Sequence, residues 1–240
     1  MKIALIGYGK MGKEIEKIAV SRGHEVTLII DITNPDDLTA ENLRKCDVAI
    51  EFTIPASAVK NYFTCFEAGI PVVSGTTGWL DKKAEVIKRC EETGGTFFYG
   101  SNFSVGVNLF FELNKKLAVL MAGYPEYNVE MTEVHHIHKL DAPSGTAIAL
   151  ANDIISVNPD YTRWESGFQH DQQALQVFSE RTGEVIGTHK IEWNSEADSI
   201  EIKHTAHNRQ GLAMGAILAA EWLQGRTGVY GMSDLLSSGK

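Results

Sequence analysis

A glycine-rich loop directly after the first apolar segment restricts the fold more than any other feature of the chain. Ile3–Ile6 is a short apolar run, and Gly7-Tyr8-Gly9-Lys10-Met11-Gly12 after it matches the pattern G-x-G-x-x-G. A helical pattern follows and stops near Gly23, and a second apolar run leads to Asp31. In such a loop the glycines permit a tight turn, close approach of a pyrophosphate, and close packing of helix on strand. The order strand, glycine loop, helix, strand therefore predicts a Rossmann-like unit that binds a dinucleotide at a helix N-terminus.

Asp31 indicates which dinucleotide is preferred. It ends the second predicted strand about 20 residues after the glycine loop, where an acid accepts hydrogen bonds from the adenine ribose hydroxyls. A carboxylate here repels the 2′-phosphate of NADP, and no arginine occurs between Ile32 and Leu43 to offset it. Lys10 is the one nearby cation in the sequence. We therefore expect NADH as the preferred cofactor, with NADPH also used.

Strands and helices continue to alternate up to about residue 103, with further apolar runs over 47–52, 71–74 and 96–99. This alternation predicts a parallel, doubly wound sheet. Ligands of such sheets bind beyond the carboxyl ends of the strands. Two small polar clusters occupy that edge, and we expect them to contact the nicotinamide half of the cofactor. They are Gly75, Thr76 and Thr77, and then Gly100, Ser101, Asn102 and Phe103.

The pattern changes after Phe103. Leucines recur at helical spacing, which predicts one long helix over 104–121 with a leucine stripe in the core. The stripe consists of Leu109, Leu113, Leu117 and Leu120. The segments that follow alternate as half-exposed strands with longer, more polar connections. These strands, expected around 129–134, 173–179, 184–193 and 199–207, predict an open mixed sheet in an α+β domain.

The domain boundaries follow from these patterns. An alanine- and leucine-rich helix over 211–225 is expected to pack back onto the first domain. We therefore expect a discontinuous dinucleotide-binding domain over 1–103 and 209–240. The intervening part, 104–208, is expected to bind the substrate and to form any subunit interface.

Composition limits the classes of function. The 240 residues carry a formal net charge of −9, which argues against a nucleic-acid partner. No apolar run approaches the roughly 20 residues of a membrane span, and the first strand leaves no room for a signal peptide. The widely spaced Cys46, Cys65 and Cys90 are expected to be reduced thiols. These features predict a cytoplasmic protein with no membrane and no nucleic-acid partner.

The second predicted domain contains a dense group of titratable residues, His135-His136-Ile137-His138-Lys139. Histidine titrates near neutral pH and passes a proton in either direction. Consecutive side chains of an extended segment face opposite ways, so His135 and His136 are expected to have different tasks. Lys139 is suited to donate a proton or to pair with a carboxylate. The group therefore predicts acid–base chemistry.

Two other interpretations of this group remain open. A metal site would need a clear coordination set, yet the chain has no HExxH and no cysteine or second carboxylate cluster to complete one. We therefore expect no metal. The other alternative is a solvated polar turn without a chemical role.

A helix entry follows at Asp141–Ala147. Ser144 is a suitable N-cap, and the residues after Ala147 have a helical pattern. The unpaired amides of Gly145 and Thr146, with the Thr146 hydroxyl, form a cradle for a carboxylate. Proton donors beside such a cradle, in a chain with a dinucleotide domain, predict hydride transfer to an unsaturated carboxylic acid.

The run Glu133–Ala147, reading EVHHIHKLDAPSGTA, closely resembles the signature of the 4-hydroxy-tetrahydrodipicolinate reductase family. The resemblance extends to Gly75–Gly78, to Ser101–Asn108 and to the glycine loop, so it spans nearly the whole chain in the expected order. It implies NAD(P)H-dependent reduction of 4-hydroxy-tetrahydrodipicolinate to tetrahydrodipicolinate, in the diaminopimelate route to lysine. It also implies a cytoplasmic homotetramer acting on a small dicarboxylate.

The same resemblance implies the roles of individual residues. His135 would be the general acid/base, and Lys139 the proton donor that completes reduction of the ring. His136, Gly145 and Thr146 would hold the carboxylates of the substrate. The glycine loop, Asp31 and the two polar clusters would hold the dinucleotide. Arg209 would also touch the ligands.

The chain departs from the family pattern in two places. It is short between Asp31 and Asp47, where a βα unit is trimmed, and the usual acid–arginine pair after the second strand is here Asp31-Ile32. Both departures concern the preference for NADH or NADPH, and neither lies in the run Glu133–Ala147.

Two further classes of function compete with this interpretation. Aspartate and homoserine dehydrogenases share a two-domain plan but lack the histidine run joined to Asp-Ala-Pro-Ser-Gly-Thr. A dinucleotide-sensing regulator without catalysis would be expected to lack His135 or Lys139, and both are present.

Overall fold

The computed structural model describes residues 1–167, 171, 173–208 and 210–237. The chain divides into two compact units, one formed by Met1–Val105 with Gln210–Lys240 and the other by Gly106–Arg209. Arg209 itself, expected to touch the ligands, lies outside the described residues. None of the described helices has the length and apolar character needed to cross a membrane.

Helices and strands account for most of the described residues. The helices are α1 (Lys10–Ser21), α2 (Ala40–Leu43), α3 (Pro55–Ala68), α4 (Lys83–Glu92), α5 (Val105–Met121), α6 (Gly145–Ile155), α7 (Gln210–Trp222) and α8 (Met232–Ser237). The strands are β1 (Lys2–Ile6), β2 (Glu25–Ile30), β3 (Val48–Glu51), β4 (Val72–Ser74), β5 (Thr96–Tyr99), β6 (Asn128–His135), β7 (Arg163–Ser166), β8 (Ala174–Arg181), β9 (Gly187–Asn194), β10 (Ser199–Ala206) and β11 (Gly228–Tyr230).

The first unit contains a parallel sheet of six strands in the order β11-β5-β4-β3-β1-β2. Both faces of the sheet are buried, because successive strand residues enter different cores. In β1, Ile3 and Leu5 pack with α1 and α7, whereas Ala4 and Ile6 pack on the side of α3. The predicted doubly wound, Rossmann-like sheet is confirmed.

Helix α7 returns the chain to this sheet because its surface is built from small residues. Ala213, Ala216 and Ala220 are fully buried in the core shared with α1. At Gly215 a Cβ would lie 1.7 Å from the carbonyl oxygen of Phe103, so only glycine allows this approach. The helix then leads to β11, which forms an edge of the sheet and which the sequence did not indicate.

The second unit contains a mixed sheet of five strands in the order β10-β9-β6-β8-β7. Its central strand β6 pairs antiparallel with β9 and parallel with β8. One face alternates strictly: Val129 and Met131 of β6 and Ile191 and Trp193 of β9 are buried against α6. The predicted open mixed sheet is therefore confirmed.

The leucine stripe predicted for the core is wrong. Leu109, Leu113 and Leu120 of α5 are exposed, and the core of the second unit instead receives Phe110 and Ala118 from this helix. The helix is apolar on more than one side, so periodicity alone selected the wrong face. Smaller differences are that β9 begins at Gly187 rather than near residue 184, and that β7 was not expected.

Candidate active site

The predicted cofactor loops lie side by side at the carboxyl edge of the parallel sheet. Backbone hydrogen bonds connect each loop to the neighbouring strand: the Phe52 amide donates to Ile6, the Gly75 amide to Glu51, and the Gly100 amide to Ser74. Their N–O distances are 2.8, 3.0 and 3.2 Å. The glycine loop, Gly75–Thr77 and Gly100–Phe103 are thus neighbours in space, as expected for one ligand edge.

The three glycines of the loop are required for different reasons. Gly7 has φ +95°, and a Cβ there would lie 2.0 Å from the Phe52 carbonyl oxygen. A Cβ on Gly12 would lie 2.3 Å from the Gly7 carbonyl oxygen. In contrast, a Cβ on Gly9 would meet nothing within 4 Å. Gly7 and Gly12 are therefore needed by the fold, whereas the space beside Gly9 is open to a ligand.

A cavity of about 470 Å³ opens beside this loop. Tyr8 and Gly9 line it, and so do Asp31 and Ile32 after β2. Its volume and apolar walls suit a nucleoside moiety. The exposed Lys60 of α3 also lines the cavity, and no pattern in the sequence singled it out. The residues present therefore fit the adenosine half of a dinucleotide.

The remaining residues of the glycine loop are divided between solvent and core. Lys10 is exposed at the first position of α1, and Met11 is half-buried against the core of the first unit. The Tyr8 hydroxyl donates a hydrogen bond to Glu16.

A buried carboxylate, Glu51, connects the loops after β3 and β4. It is fully buried and accepts hydrogen bonds from the hydroxyls of Thr53, Ser74 and Thr76. Within the described part of the chain no cation pairs with it. The Thr76 hydroxyl oxygen also accepts a hydrogen bond from the Thr53 amide at 2.8 Å. Because its side chain is committed to this network, Thr76 presents mainly its backbone to a ligand.

The second polar cluster, Gly100–Phe103, also contains both buried and exposed side chains. The Phe103 ring is buried in the core of the first unit, where it contacts the Phe98 ring at a centroid distance of 5.8 Å. The Asn102 side chain accepts a hydrogen bond from the Ser104 amide at 2.9 Å. Ser101 and Thr77 are exposed. Phe103 therefore shapes the edge by packing, and the exposed hydroxyls remain accessible.

In the second unit, strand register assembles the polar cluster at the carboxyl end of β6. Glu133 and His135 are two residues apart and share the buried face, which is apolar further back along the strand. Across the antiparallel pairing Glu133 faces His189 of β9, and across the parallel pairing His135 faces Arg181 of β8. Neither His189 nor Arg181 was predicted as a site residue, because their positions depend on the register.

Glu133 is fully buried and has three partners. Its Oε1 accepts a hydrogen bond from Arg181 Nη2 at 2.9 Å and from the Ser144 amide at 3.1 Å. Its Oε2 lies 2.8 Å from His135 Nδ1, a short ion-pair contact whose angle departs from that of a linear hydrogen bond. Burial raises the pKa of Glu133, but the contacts with His135, Ser144 and Arg181 outweigh it and hold the pKa well below its usual range. Glu133 is therefore ionised.

His189 is a buried, neutral histidine. Burial, followed by the nearby His135, lowers its pKa to about 4. Its ring stands edge-on to that of His135 at a centroid distance of 5.2 Å, and its Nε2 is 3.3 Å from the Ser144 hydroxyl. It therefore links His135 of β6 to the cap of α6.

The turn after β6 places His136 and Lys139. His136 is half-buried, and its Nδ1 is enclosed without a hydrogen-bond partner among the described residues. Lys139 Nζ donates to the two carboxylate oxygens of Asp141, at 2.7 and 2.9 Å. The Lys139 ammonium holds the pKa of Asp141 below its usual value. Lys139 is thus a cation available as a proton donor near the strand end.

The predicted helix entry is present. Ser144 caps α6, with its hydroxyl accepting a hydrogen bond from the Ala147 amide at 3.2 Å. The amides of Gly145 and Thr146 are the first two of the helix, so the helix itself offers them no acceptor. A Cβ on Gly145 would meet nothing within 4 Å, and its φ is not positive. The chain's own packing does not require this glycine, and the space beside it is open.

The cluster also has the residue types of a metal site. Glu133, His135 and His189 each offer one ligand atom, and these atoms lie within 4.8 Å of one another. However, the Arg181 guanidinium already neutralises the carboxylate, and a dication would be repelled by it. The absence of a metal stays a prediction.

Together these features define a class of protein. A doubly wound domain carries an open glycine loop that fits a dinucleotide, and a second domain presents a buried histidine, His135, on the strand that leads to a helix entry with unpaired amides. The class is a two-domain oxidoreductase that uses a pyridine nucleotide.

Comparison with known proteins gives the family. The models of the N-terminus and of the C-terminus of dihydrodipicolinate reductase match residues 1–103 and 106–236. A 4-hydroxy-tetrahydrodipicolinate reductase of Christiangramia forsetii is 47% identical, over 99% of this chain and 98% of that one. One of Neisseria meningitidis serogroup C is 36% identical, over 92% of this chain and 83% of its own. The chain belongs to the dihydrodipicolinate reductase family, as the run Glu133–Ala147 predicted.

Solved structures agree on the fold. Dipicolinate-bound dihydrodipicolinate reductase from Paenisporosarcina sp. TG-14 has a TM-score of 0.76 at 23% identity, covering 98% of this chain and 99% of that one. An amine dehydrogenase from Mycobacterium smegmatis has a TM-score of 0.60 at 10% identity, covering 95% and 94%.

The glycine loop yields a first prediction. Gly9→Ala should weaken binding of NADH at least about tenfold, because the new methyl group occupies the space left for the pyrophosphate. Its melting temperature should stay within about 2 °C of that of the unmodified protein, because the Cβ meets no protein atom. Titration calorimetry and thermal unfolding measure the two quantities.

Gly7→Ala is the matched control. Its Cβ collides with the Phe52 backbone at a positive φ, so it should unfold at a clearly lower temperature. Unchanged NADH affinity in a folded Gly9→Ala protein would argue against this loop as the pyrophosphate site.

His189 yields a prediction for pH. Its folded-state pKa of about 4 lies below that of a free histidine, so acid favours the unfolded chain. The stability that neutral His189 provides is complete above about pH 6.5 and is lost as the pH falls towards 4. Between about pH 7 and about pH 5 it should remove roughly 2 kcal/mol from the free energy of unfolding.

Denaturant unfolding at both pH values measures this loss. His189→Gln, which cannot take up a proton, should lose about that much less stability on acidification. His138→Gln is the control, because His138 is exposed. Equal pH dependence in His189→Gln and in the unmodified protein would contradict the buried neutral state.

Proposed function

We propose that this protein reduces 4-hydroxy-tetrahydrodipicolinate to tetrahydrodipicolinate with NADH or NADPH. It belongs to the dihydrodipicolinate reductase family, and its reaction is that of the diaminopimelate route to lysine. The observation that carries the proposed mechanism is a single strand–turn–helix segment. It joins the acid–base residue His135, the cation Lys139 and the open amides of Gly145 and Thr146.

The dicarboxylate substrate binds at the entry of α6. The first two amides of a helix attract an anion through their unpaired hydrogens and the positive end of the helix dipole. The open space beside Gly145 lets a carboxylate approach the backbone closely. His136, half-buried in the preceding turn, supplies a further contact to the substrate carboxylates.

His135 and Lys139 move the protons. His135, at the buried end of β6, assists loss of the 4-hydroxyl group as water. When bound, the dinucleotide supplies the hydride that reduces the ring. Lys139, whose Nζ is hydrogen-bonded to the Asp141 carboxylate, donates the proton that balances this hydride. One hydride and one proton together account for the two electrons and two hydrogens added to the ring.

The dinucleotide is held by the first unit through the glycine loop, Asp31 and the two polar clusters. We infer a preference for NADH, because the Asp31 carboxylate lines the cavity and repels a 2′-phosphate. Lys60 lines the same cavity and attracts such a phosphate, which supports use of NADPH as well.

A cytoplasmic homotetramer without nucleic-acid partners is part of the proposal. Two exposed surfaces support self-association: the leucine side of α5, and the edge strand β10 with its exposed Ile200. Apolar side chains in such positions are often covered by a partner.

Direct assay tests the reaction. With the condensation product of pyruvate and aspartate semialdehyde as substrate, the protein should oxidise NADH and, in a separate assay, NADPH. The loss of absorbance at 340 nm measures both rates, and we expect the larger kcat/KM for NADH. No turnover with either nucleotide would contradict the proposed function. A clearly better rate with NADPH would contradict the role given to Asp31 alone.

Lys139→Ala tests the proton donor. Its kcat should fall on the order of 10²-fold or more, since general acids contribute that range, while the Kd for NADH stays within about twofold of the unmodified value. Lys88→Ala, which removes an exposed lysine of α4, is the matched control and should retain full activity. A comparable loss of NADH binding in Lys139→Ala would show that this lysine does not act in the chemical step.

A further inference from the structure

We infer that Glu133 is a positioning residue that fixes the tautomer of His135, and that Arg181 keeps the Glu133 carboxylate in place. The inference deepens the proposed function, on which the acid–base role of His135 rests. Glu133 belongs to the run Glu133–Ala147, but the roles proposed for His135 and Lys139 assign no function to it.

The two carboxylate oxygens of Glu133 have different partners. Oε1 is held by two fixed donors, Arg181 Nη2 and the Ser144 amide. Arg181 is itself anchored, because the same nitrogen donates to the Asp141 carbonyl oxygen at 2.6 Å. The carboxylate therefore cannot rotate without losing both donors, and Oε2 is left 2.8 Å from His135 Nδ1, off the axis of a linear hydrogen bond.

This arrangement determines where neutral His135 carries its hydrogen. An ionised carboxylate oxygen only accepts, so the hydrogen must sit on Nδ1. The lone pair is then on Nε2, which is the nitrogen left to exchange a proton with the substrate. In water the opposite tautomer is the commoner one, so the structure selects the rarer form. The off-axis contact is of the kind that becomes aligned when ligand binds.

The surroundings of Nε2 fit this assignment. A Cβ on Gly187 of β9 would lie 3.0 Å from Nε2, so a glycine at this position leaves the nitrogen uncrowded. His189 stands edge-on against the ring and limits its tilt. The ring is thus confined by Glu133 and His189 on the protein side. When Nε2 takes up a proton, the Glu133 carboxylate stabilises the resulting cation.

Glu133→Gln provides the test, because the glutamine side chain has the same shape as glutamate but replaces one acceptor oxygen by an NH₂ group that donates hydrogen bonds. Its carbonyl oxygen must stay with the donors Arg181 and Ser144, so its NH₂ group faces His135 Nδ1. An NH₂ group donates, and Nδ1 must then be the acceptor, which moves the ring hydrogen to Nε2. The variant should therefore switch the His135 tautomer.

Nitrogen-15 NMR of histidine-labelled protein, free of substrate and at a pH where the ring is neutral, measures the tautomer. The His135 signals are assigned as those missing from His135→Asn. We expect the Nδ1–H form in the unmodified protein and the Nε2–H form in Glu133→Gln. The Nε2–H form already in the unmodified protein would overturn the inference, whether or not the protein turns over the proposed substrate.

Kinetics supply a second readout. Glu133→Gln should lower kcat on the order of 10²-fold or more, the effect of orienting a histidine wrongly. The KM for NADH should stay within about twofold, because the first unit is untouched. Glu192→Gln, which removes the acid of the Lys190–Glu192 ion pair on β9, is the control and should retain kcat. A folded Glu133→Gln with unchanged kcat and tautomer would overturn the inference.

Arg181→Lys covers the case in which Glu133→Gln does not fold. Lysine keeps the charge, but its side chain is one atom shorter and its Nζ ends short of the Nη2 position that contacts both Glu133 and Asp141. The carboxylate should therefore be held less firmly. We expect the Nδ1–H tautomer to persist while kcat falls about tenfold. Full activity in this variant would overturn the role given to Arg181. Absence of turnover in the unmodified protein would instead refute the proposed function and leave the NMR result to decide the tautomer.

Discussion

A carboxylate removed from water costs several kcal/mol unless its partners replace the lost hydration, and Glu133 is such a carboxylate. Its compensation comes from three different parts of the second unit: Arg181 on β8, His135 on β6 and the amide of Ser144 before α6. The ion pair is therefore complete only when strand register and helix entry are both correct. A shift of β8 by one residue would take Arg181, the one partner with a permanent charge, away from the buried Glu133 carboxylate. The contact with Arg181 therefore also penalises misfolded alternatives.

The first unit also contains a buried carboxylate, but neutral groups rather than a cation stabilise it. Glu51 is also fully buried at the carboxyl end of a central strand, yet its partners are hydroxyl and amide groups. It connects the loops after β3 and β4, which border the cofactor edge. Neutral donors thus fix these loops, and no cation among the described residues pairs with Glu51. Each unit thus orders its ligand edge around one buried acid, and the choice of partner sets the local charge.

The sequence predicted whatever depends on neighbours along the chain. The glycine loop, the alternating βα pattern and the Ser144 cap are local signals, and all three are present in the structure. The exposed side of α5 was mistaken for its core side, because Leu109 and Leu113 have the same spacing as a buried stripe. Arg181 and His189 could not be found, since only the pairing of β6 with β8 and β9 brings them to Glu133. The network around Glu51 could not be predicted either, since the pairing of β3 with β4 brings its partners Ser74 and Thr76 to it.

We propose that the end of β6 and the entry of α6 form one site for a dicarboxylate. A crystal structure of the protein with pyridine-2,6-dicarboxylate tests it most directly, because this planar compound resembles the ring and cannot be reduced by the bound nucleotide. We expect one carboxylate within hydrogen-bond distance of the Gly145 and Thr146 amides, with the ring facing His135. A dicarboxylate bound elsewhere, with these amides facing only solvent, would contradict it.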